Sequence, residues 1–405
     1  MYSKQSVVRL AIVLILATAI LSVGGTVLVS SILQLSGEQV AVSADEYASI
    51  ERFARLDDVY QRIMKNYYET PDGEKLINGA IKGMVEGLDD PYSRYYTPEE
   101  YTESQQDAEG LYYGIGVVVS MDKDTHQLNI IKVYSDTPAQ EVDLRKGDVI
   151  TSVDGADLSG MELSQITALI KGEELSQVKL TILRDGQTLE KTLTRRQVTV
   201  DRVEWHMMAD NIGYIQISEF RGNALEKMEA AIAEMKDKGA KGIVLDLRDN
   251  PGGMMDIVVP IADMLLPEGL IVYTEDVNGN RREEKSDAEM LNLPLTVLIN
   301  GNSASASEIL AGAIQDYGVG TLIGTTTYGK GIVQSIMPYK EDGAALQITT
   351  SRYFTPNGRN IHGEGIAPDI TVEMPEELLK NPQDLTEEND PQLQKALEVL
   401  KSEIK

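Results

Sequence analysis

Two short stretches in the last third of the chain carry the residue types of nucleophilic catalysis. One reads Asn302-Ser303-Ala304-Ser305-Ala306-Ser307-Glu308, the other Tyr328-Gly329-Lys330-Gly331-Ile332-Val333-Gln334, and no histidine lies between them. A serine hydroxyl is a poor nucleophile until a base removes its proton. Histidine is the usual base, but a lysine kept neutral by burial does the same work. Its pKa must then fall from about 10.4 to near neutrality, roughly 3 units or about 4 kcal/mol. Tyr328, Gly329, Gly331 and Ile332 carry no charge and permit that burial. A solvated turn lysine is the plain alternative. Gln334 lies four residues further on, an even spacing that in an extended chain puts it on the face of Lys330, where its amide could hold the ammonium. An ordinary strand glutamine is the competing reading.

The elements that must position these groups are legible nearby. Leu295–Ile299 reads as a buried strand, and Asn300-Gly301-Asn302 turns it into a helix from Ser303 to Gln315. Such a junction presents a side chain at the sheet edge with helix amides aimed at it. Ser305-x-x-Glu308 is also a capping box, and Ser303 has the form of a simple cap. Asp246-Leu247-Arg248-Asp249-Asn250-Pro251-Gly252-Gly253 ends another buried strand, and glycine amides there could face an oxyanion. Paired glycines after proline are equally common in plain turns. Tyr113-Gly114-Ile115-Gly116 precedes the strand Val117–Ser120, and a glycine loop before an edge strand can offer amides to a peptide's terminal carboxylate.

Composition narrows the classes. The chain has 405 residues, a formal net charge of -27, no cysteine and three histidines, His126, His206 and His362. The length implies two or three domains. The acidic balance argues against nucleic acid as a partner, and the missing cysteine excludes disulfides and a thiolate nucleophile. Scattered histidines disfavour a metal site. Lys4 and Arg9 precede an uncharged run from Leu10 to Leu35, followed by Glu38, Asp45 and Glu46. About 20 apolar residues span a bilayer, so a single-pass anchor with the bulk of the chain outside the cytoplasm is expected. A signal peptide cleaved near Val42-Ser43-Ala44, giving a secreted protein, is the alternative.

Further along, helical spacing marks Tyr47–Tyr68 and Glu74–Gly87, Asp89-Asp90-Pro91-Tyr92-Ser93 reads as a turn, and Thr97-Pro98-Glu99-Glu100 starts another helix. Short strands with one helix follow, closed by an Asp185-Gly186 hairpin between Val178–Arg184 and Thr188–Arg195. The rest alternates strand and helix, as in an α/β layer structure. A charged tail with an amphipathic helix at Leu393, Leu397 and Leu400 ends the chain.

In order, these pieces resemble the carboxyl-terminal processing peptidases, also called tail-specific proteases, which are serine endopeptidases with a Ser-Lys pair. The matching segments are Tyr112–Gly116, Lys146-Gly147-Asp148-Val149-Ile150, Asp246–Gly253, Ser303–Glu308, Tyr328–Gln334 and Gly363-Glu364-Gly365-Ile366-Ala367-Pro368-Asp369. The resemblance implies an α/β protease core of the crotonase/ClpP type with an inserted PDZ domain, an N-terminal helical region and an N-terminal transmembrane helix. The implied boundaries are 1–36 for the anchor, 37–109 for linker and helices, 110–195 for the PDZ domain, 196–373 for the core and 374–405 for the tail. It makes Ser305 the nucleophile, Lys330 the base and Gln334 its support. The oxyanion site becomes the Ala306 amide with a glycine amide of Gly252 or Gly253, and Tyr113, Gly114, Ile115 and Gly116 bind the substrate tail. No cofactor or metal is implied. Partners are protein C-termini, the membrane and a second copy of the chain. Two rivals stand beside it: a non-catalytic PDZ receptor for tails, and a hydrolase using His362 with Asp246.

Overall fold

The protein is described by a computed structural model covering residues 44–122, 125, 127–380 and 385–404. Among these residues no helix is long and apolar enough to cross a membrane. The anchor expected at Leu10–Leu35 lies outside the described residues.

The chain divides into two compact units, residues 1–80 and 81–405. The described part of the first is the helix Ala44–Asn66 and the start of the helix Gly73–Glu86. An Asp58–Arg62 pair at 2.9 Å braces one turn of the longer helix. The connection is tight at Gly73, where a β-carbon would stand 2.6 Å from the Tyr60 hydroxyl.

The second unit opens with the turn 89–93, the short strand Arg94–Tyr96 and the helix Pro98–Ala108. Thr97 caps that helix: its hydroxyl accepts from the Glu100 amide while the Glu100 carboxylate accepts from the Thr97 amide. A small antiparallel sheet follows, in the strand order Val117–Met121, Leu128–Val133, Val149–Val153, Gln177–Arg184, Gln187–Thr194. Alternate residues of these strands, Leu128, Ile130, Ile150, Val178, Leu180 and Ile182, fill a core with Ile166 and Ile170 of the helix Leu163–Ile170. The Lys-Gly-Asp motif is structural here. Buried Asp148 receives the Arg184 guanidinium at 2.6 Å and the Arg145 amide at 2.8 Å. Burial opposes its charge, but those donors outweigh it and hold the carboxyl below the usual aspartate range. The chain enters and leaves this sheet through a two-stranded ladder, Leu111–Gly114 against Arg196–Thr199, so the small sheet is an insertion on a paired stem.

The remainder is built on a six-stranded sheet in the order Val203–Met207, Ile212–Ile217, Gly242–Asp246, Leu295–Ile299, Thr321–Gly324, Ile370–Thr371. The first pair is antiparallel and the rest are parallel. Gly242–Asp246 and Leu295–Ile299 are buried at every position, which is why, Asp246 and Thr296 apart, they read as apolar runs. Ile243, Leu245, Val297 and Ile299 face a core shared with the helices Ala224–Asp237, Met255–Asp263 and Ala306–Tyr317. Val244 and Leu298 face the opposite layer, filled by Leu393, Ala396 and Leu400 of the helix Pro391–Glu403. The C-terminal segment expected as a tail is therefore a covering layer of the sheet. A second, antiparallel sheet joins Arg94–Tyr96, Ala345–Phe354, Gly269–Asp276 and Arg281–Ser286, with Ile332–Pro338 also pairing on Ala345–Phe354. Arg281–Ser286 gave no strand signal because five of its six residues are charged; cross-strand pairing with Gly269–Asp276 sets its conformation.

Candidate active site

Three serines compete at the mouth of the helix Ala306–Tyr317, and their environments separate them. Ser303 is buried, donates to the Leu247 carbonyl at 2.8 Å and accepts from the Asn300 amide at 3.0 Å. Ser307 is buried and donates to the Asn250 carbonyl at 2.9 Å. Both hydroxyls bind the helix to the loop after Gly242–Asp246. Ser305 alone is half-exposed, and the Glu308 amide that a capping hydroxyl would receive donates instead to the Ser305 carbonyl. Its backbone sits at φ 53°, ψ −113°, a strained conformation for a non-glycine residue that costs on the order of 1–3 kcal/mol. The strain persists because both ends are held. The Ser305 amide donates to Glu308 Oε2 at 2.8 Å, and its carbonyl accepts from the buried Tyr353 hydroxyl at 3.1 Å and the Glu308 amide at 2.8 Å. The result is a sharp strand-to-helix turn with one hydroxyl pushed outward.

Glu308, fully buried, joins this turn to the lysine segment. Its Oε1 accepts from the Thr327 hydroxyl and the Gly329 amide, each at 2.6 Å, and its Oε2 accepts from the Ser305 and Lys330 amides, each at 2.8 Å. One carboxylate oxygen thus ties the two backbones, which stand no farther apart than twice that bond. The glycines around Lys330 have a steric cause. A β-carbon on Gly329 would lie 2.9 Å from the Gly365 nitrogen, and one on Gly331 2.6 Å from the His362 nitrogen. The Gly363–Asp369 motif is the matching wall: the Gly363 amide donates to the Gly329 carbonyl at 2.8 Å and the Ile366 amide to Thr327 Oγ1 at 2.7 Å. Asp369 braces the outside, accepting from the Leu322 amide and the Gln315 side chain.

The Lys330 amine is half-buried, with Nζ 4.3 Å from the centre of the Tyr92 ring. Burial first, then the Arg94 guanidinium, push this amine below the ordinary lysine range, and Arg221 adds to them. Asp90 and Glu308 pull the other way. Tyr92, Arg94 and Asp90 all come from the segment before the small sheet, which local reasoning read only as a turn and a helix start. The available signal was the dense Asp89–Tyr96 run of aspartates, tyrosines and an arginine in an otherwise helical stretch.

Gln334 does not hydrogen-bond to Lys330. Its amide donates to Thr349 Oγ1 at 3.2 Å, and Thr349 Oγ1 donates to Asp90 at 2.6 Å. The even-spacing argument fails for a physical reason: the strand begins only at Ile332, and a bulge interrupts its pairing between Val333 and Gln334. Gln334 instead supports the turn that carries Tyr92.

Beside Ser305, the glycine pair is resolved into two roles. Gly252 lies at φ 105°, and a β-carbon there would stand 2.8 Å from Ser305 Cβ and 2.9 Å from the Ala306 nitrogen. Its own amide donates to the Asn250 side chain at 2.9 Å. The Gly253 amide has no acceptor among the described residues: the bridge to Phe220 uses the Gly252 carbonyl and the Met254 amide. The Ala306 amide, first in its helix, has none either. Two open N–H donors thus flank the outward hydroxyl, an arrangement able to hold a developing oxyanion in the field of a helix N-terminus.

The proposed tail loop lies at the stem of the small sheet. Tyr113 pairs with Gln197 and Gly114 with Arg196. Ile115 is buried in the small core, and its carbonyl accepts from the Ala139 amide. Gly116 is required by φ 84° and by Thr137, 2.3 Å from where a β-carbon would stand. Val117–Met121 pairs with Leu128–Val133 on one side and with no described strand on the other. Burial, with Tyr134 beside it, pushes the phenol of neighbouring Tyr112 up to about 12, against a hydrogen bond from the Gly116 amide.

The His362–Asp246 pair is not assembled. His362 is exposed, and buried Asp246 binds the Tyr214 hydroxyl and the Arg248 guanidinium. Among the described residues no three His, Cys, Asp or Glu side chains are grouped to hold a metal.

Comparison with known proteins adds to this geometry. The pattern of peptidase family S41 matches residues 211–372, that of the PDZ domain matches 114–194, and that of the activating protease CtpB N-terminal domain matches 19–100. A carboxy-terminal-processing protease of Bartonella bacilliformis is 38% identical over 368 residues, which cover 87% of this chain and 82% of that protein. The carboxy-terminal processing protease CtpA of Bacillus subtilis is 34% identical over 366 residues, 90% of this chain and 77% of its own. The crystal structure of an S41 protease from Bacteroides fragilis aligns with 86% of this chain and 97% of its own at a TM-score of 0.57 and 18% identity, a likeness of fold.

Proposed function

The chain belongs to peptidase family S41 and is a protease, and on that premise we propose that it is a serine endopeptidase that cuts proteins near their C-termini with a Ser-Lys pair. The observation that carries this reading is the strained, outward Ser305 sharing the Glu308 carboxylate with Lys330. Lys330, neutral, takes the Ser305 proton as the hydroxyl attacks the scissile carbonyl. The Gly253 and Ala306 amides stabilise the oxyanion, and the resulting lysine ammonium protonates the leaving amine. Water then attacks the acyl-enzyme, giving its proton to Lys330, and the lysine passes that proton to Ser305 Oγ as the ester bond breaks and the new C-terminus leaves. General-base help is worth roughly 10²–10⁴-fold, and one oxyanion donor roughly 10²–10³-fold.

Capture of the substrate tail belongs to the PDZ domain. The free edge of Val117–Met121 supports addition of a peptide strand, and the loop Tyr113–Gly116 supports contact with its carboxylate. The activity for which these relatives are named supports C-terminal processing. The uncharged run Leu10–Leu35 supports anchoring to the cell membrane with the catalytic part extracytoplasmic, and the family resemblance alone supports a homodimer. The test is Ser305→Ala in the full chain: cleavage of a tail-bearing substrate is lost while tail affinity is retained. A variant that still cleaves removes the mechanism, and a wild-type chain that binds tails without cleaving makes the protein a receptor. Membrane pelleting and sedimentation velocity of the full chain decide anchoring and dimerisation.

A further inference from the structure

We propose that Tyr92 is a positioning residue for the catalytic lysine: its ring face seats the Lys330 amine in the resting protein. The proposal rests on the reading of Lys330 as the base. Its geometry is independent of that reading. Lys330 Nζ stands 4.3 Å from the Tyr92 ring centre, inside the range where an ammonium is attracted by an aromatic face. No hydrogen bond joins that amine to Ser305 or Gln334.

The ring is held there by a built turn. Asp90 Oδ1 accepts from the Tyr92 amide at 3.0 Å, and Asp90 Oδ2 accepts from the Ser93 and Thr349 hydroxyls, each at 2.6 Å. The Tyr92 carbonyl accepts from the Gln347 side chain at 2.9 Å, and Ser93 Oγ accepts from the Thr349 amide at 3.1 Å. The Tyr92 hydroxyl meets the Tyr328 hydroxyl at 3.3 Å, so the ring is braced at both ends. That hydrogen bond, followed by burial, pushes the Tyr92 phenol up to about 12. It stays neutral across the working range, so the contact is cation to ring face and not an ion pair with phenolate.

A ring face favours the ammonium over the free amine. It therefore opposes the burial and the positive charges of Arg94 and Arg221, and acts with Asp90 and Glu308. Among the described residues, Arg94, Arg221, Asp90 and Glu308 act on the Lys330 charge, and Tyr92 and Tyr328 form and brace its ring seat. The turn precedes the small inserted sheet in sequence and the lysine follows it, so the seat exists only when both segments are docked on the strand Ala345–Phe354.

The experiment compares wild type, Tyr92→Phe and Tyr92→Leu in the full chain. It reads the acid limb of kcat/KM against pH and the titration of the one lysine ε-carbon resonance that disappears in Lys330→Met. Tyr92→Leu keeps the apolar bulk and loses the ring, so both readings move down by about half a pH unit to one unit. Tyr92→Phe keeps the ring and leaves both in place. Should Tyr92→Leu fail to fold, Tyr92→Met, similar in volume and unbranched, carries the same expectation. A uniform fall in kcat/KM with neither reading shifted overturns the proposal, as does a Phe variant that shifts as far as Leu. If Lys330→Met still turns over substrate, the lysine is not the base, and the resonance alone then decides whether the ring seats the amine.

Discussion

Glu308→Gln is the most informative single change, because one carboxylate accepts four hydrogen bonds inside the core. A glutamine keeps the shape and replaces one oxygen by a donor. If the new NH₂ faced Ser305 and Lys330, two backbone amides would meet donors. It settles instead toward Thr327, whose hydroxyl can turn to accept, and leaves the Gly329 amide without an acceptor. An orphaned buried amide, with two charge-assisted bonds reduced to neutral ones, costs about 2–4 kcal/mol. For a core of this size the thermal midpoint falls by roughly 5–15 °C. The shared acceptor also fixes the Ser305 and Lys330 backbones, so kcat/KM falls at least about tenfold, the loss expected when reacting groups are misplaced. Calorimetry of the full chain and cleavage of a tail-bearing substrate below the new midpoint measure the two effects separately. A midpoint within about a degree of wild type, with unchanged turnover, refutes the claim that this carboxylate organises the site.

Gly252→Ala places a methyl against Ser305 Cβ and the Ala306 amide at φ 105°, and kcat/KM should fall by about 10²–10³-fold, the scale of a lost oxyanion donor; steady-state kinetics check it. Activity should rise with pH through a limb below the ordinary lysine pKa, since the depressed Lys330 amine is the base only when neutral; a pH profile that falls instead contradicts the assignment. Asp148→Asn weakens the buried pair with Arg184 and destabilises the small sheet by about 3 kcal/mol, seen as earlier unfolding of the 110–199 region in hydrogen exchange. Because that carboxyl is held below its usual pKa, its contribution is present above about pH 4 and lost as pH falls through the depressed value, so the variant and wild type converge in acid.

Much of the architecture follows from local pattern. The nearly continuous apolar runs Gly242–Asp246 and Leu295–Ile299, each short and rich in β-branched residues, read as strands buried on both faces. The Asp185-Gly186 turn could only close a hairpin, and Gln177–Arg184 pairs residue for residue with Gln187–Thr194. Arg281–Ser286 could not be read this way, because its charges carry no alternation and its conformation comes from a neighbour. The covering role of Pro391–Glu403 was equally hidden, since an amphipathic stripe does not say which surface it covers. Its entry to the core is fixed by Arg248, which reaches Asp390 at 2.8 Å across the sheet end.

The sequence by itself determined the reactive vocabulary: a serine cluster at a helix start, a glycine-flanked lysine, a glycine pair after a strand, and the order that marks the family. Residue types and short spacings carry that much because helix starts, tight turns and buried strands are local events. Only the tertiary structure decided which serine faces outward, which glycine amide is open, and that Tyr92 and Asp90 stand around the lysine. Those choices depend on acceptors supplied from far along the chain, such as Leu247 for Ser303, Asn250 for Ser307 and Gly252, and Glu308 for two distant backbones. A hydrogen-bond partner brought in by packing leaves no trace in the spacing of the residues it serves.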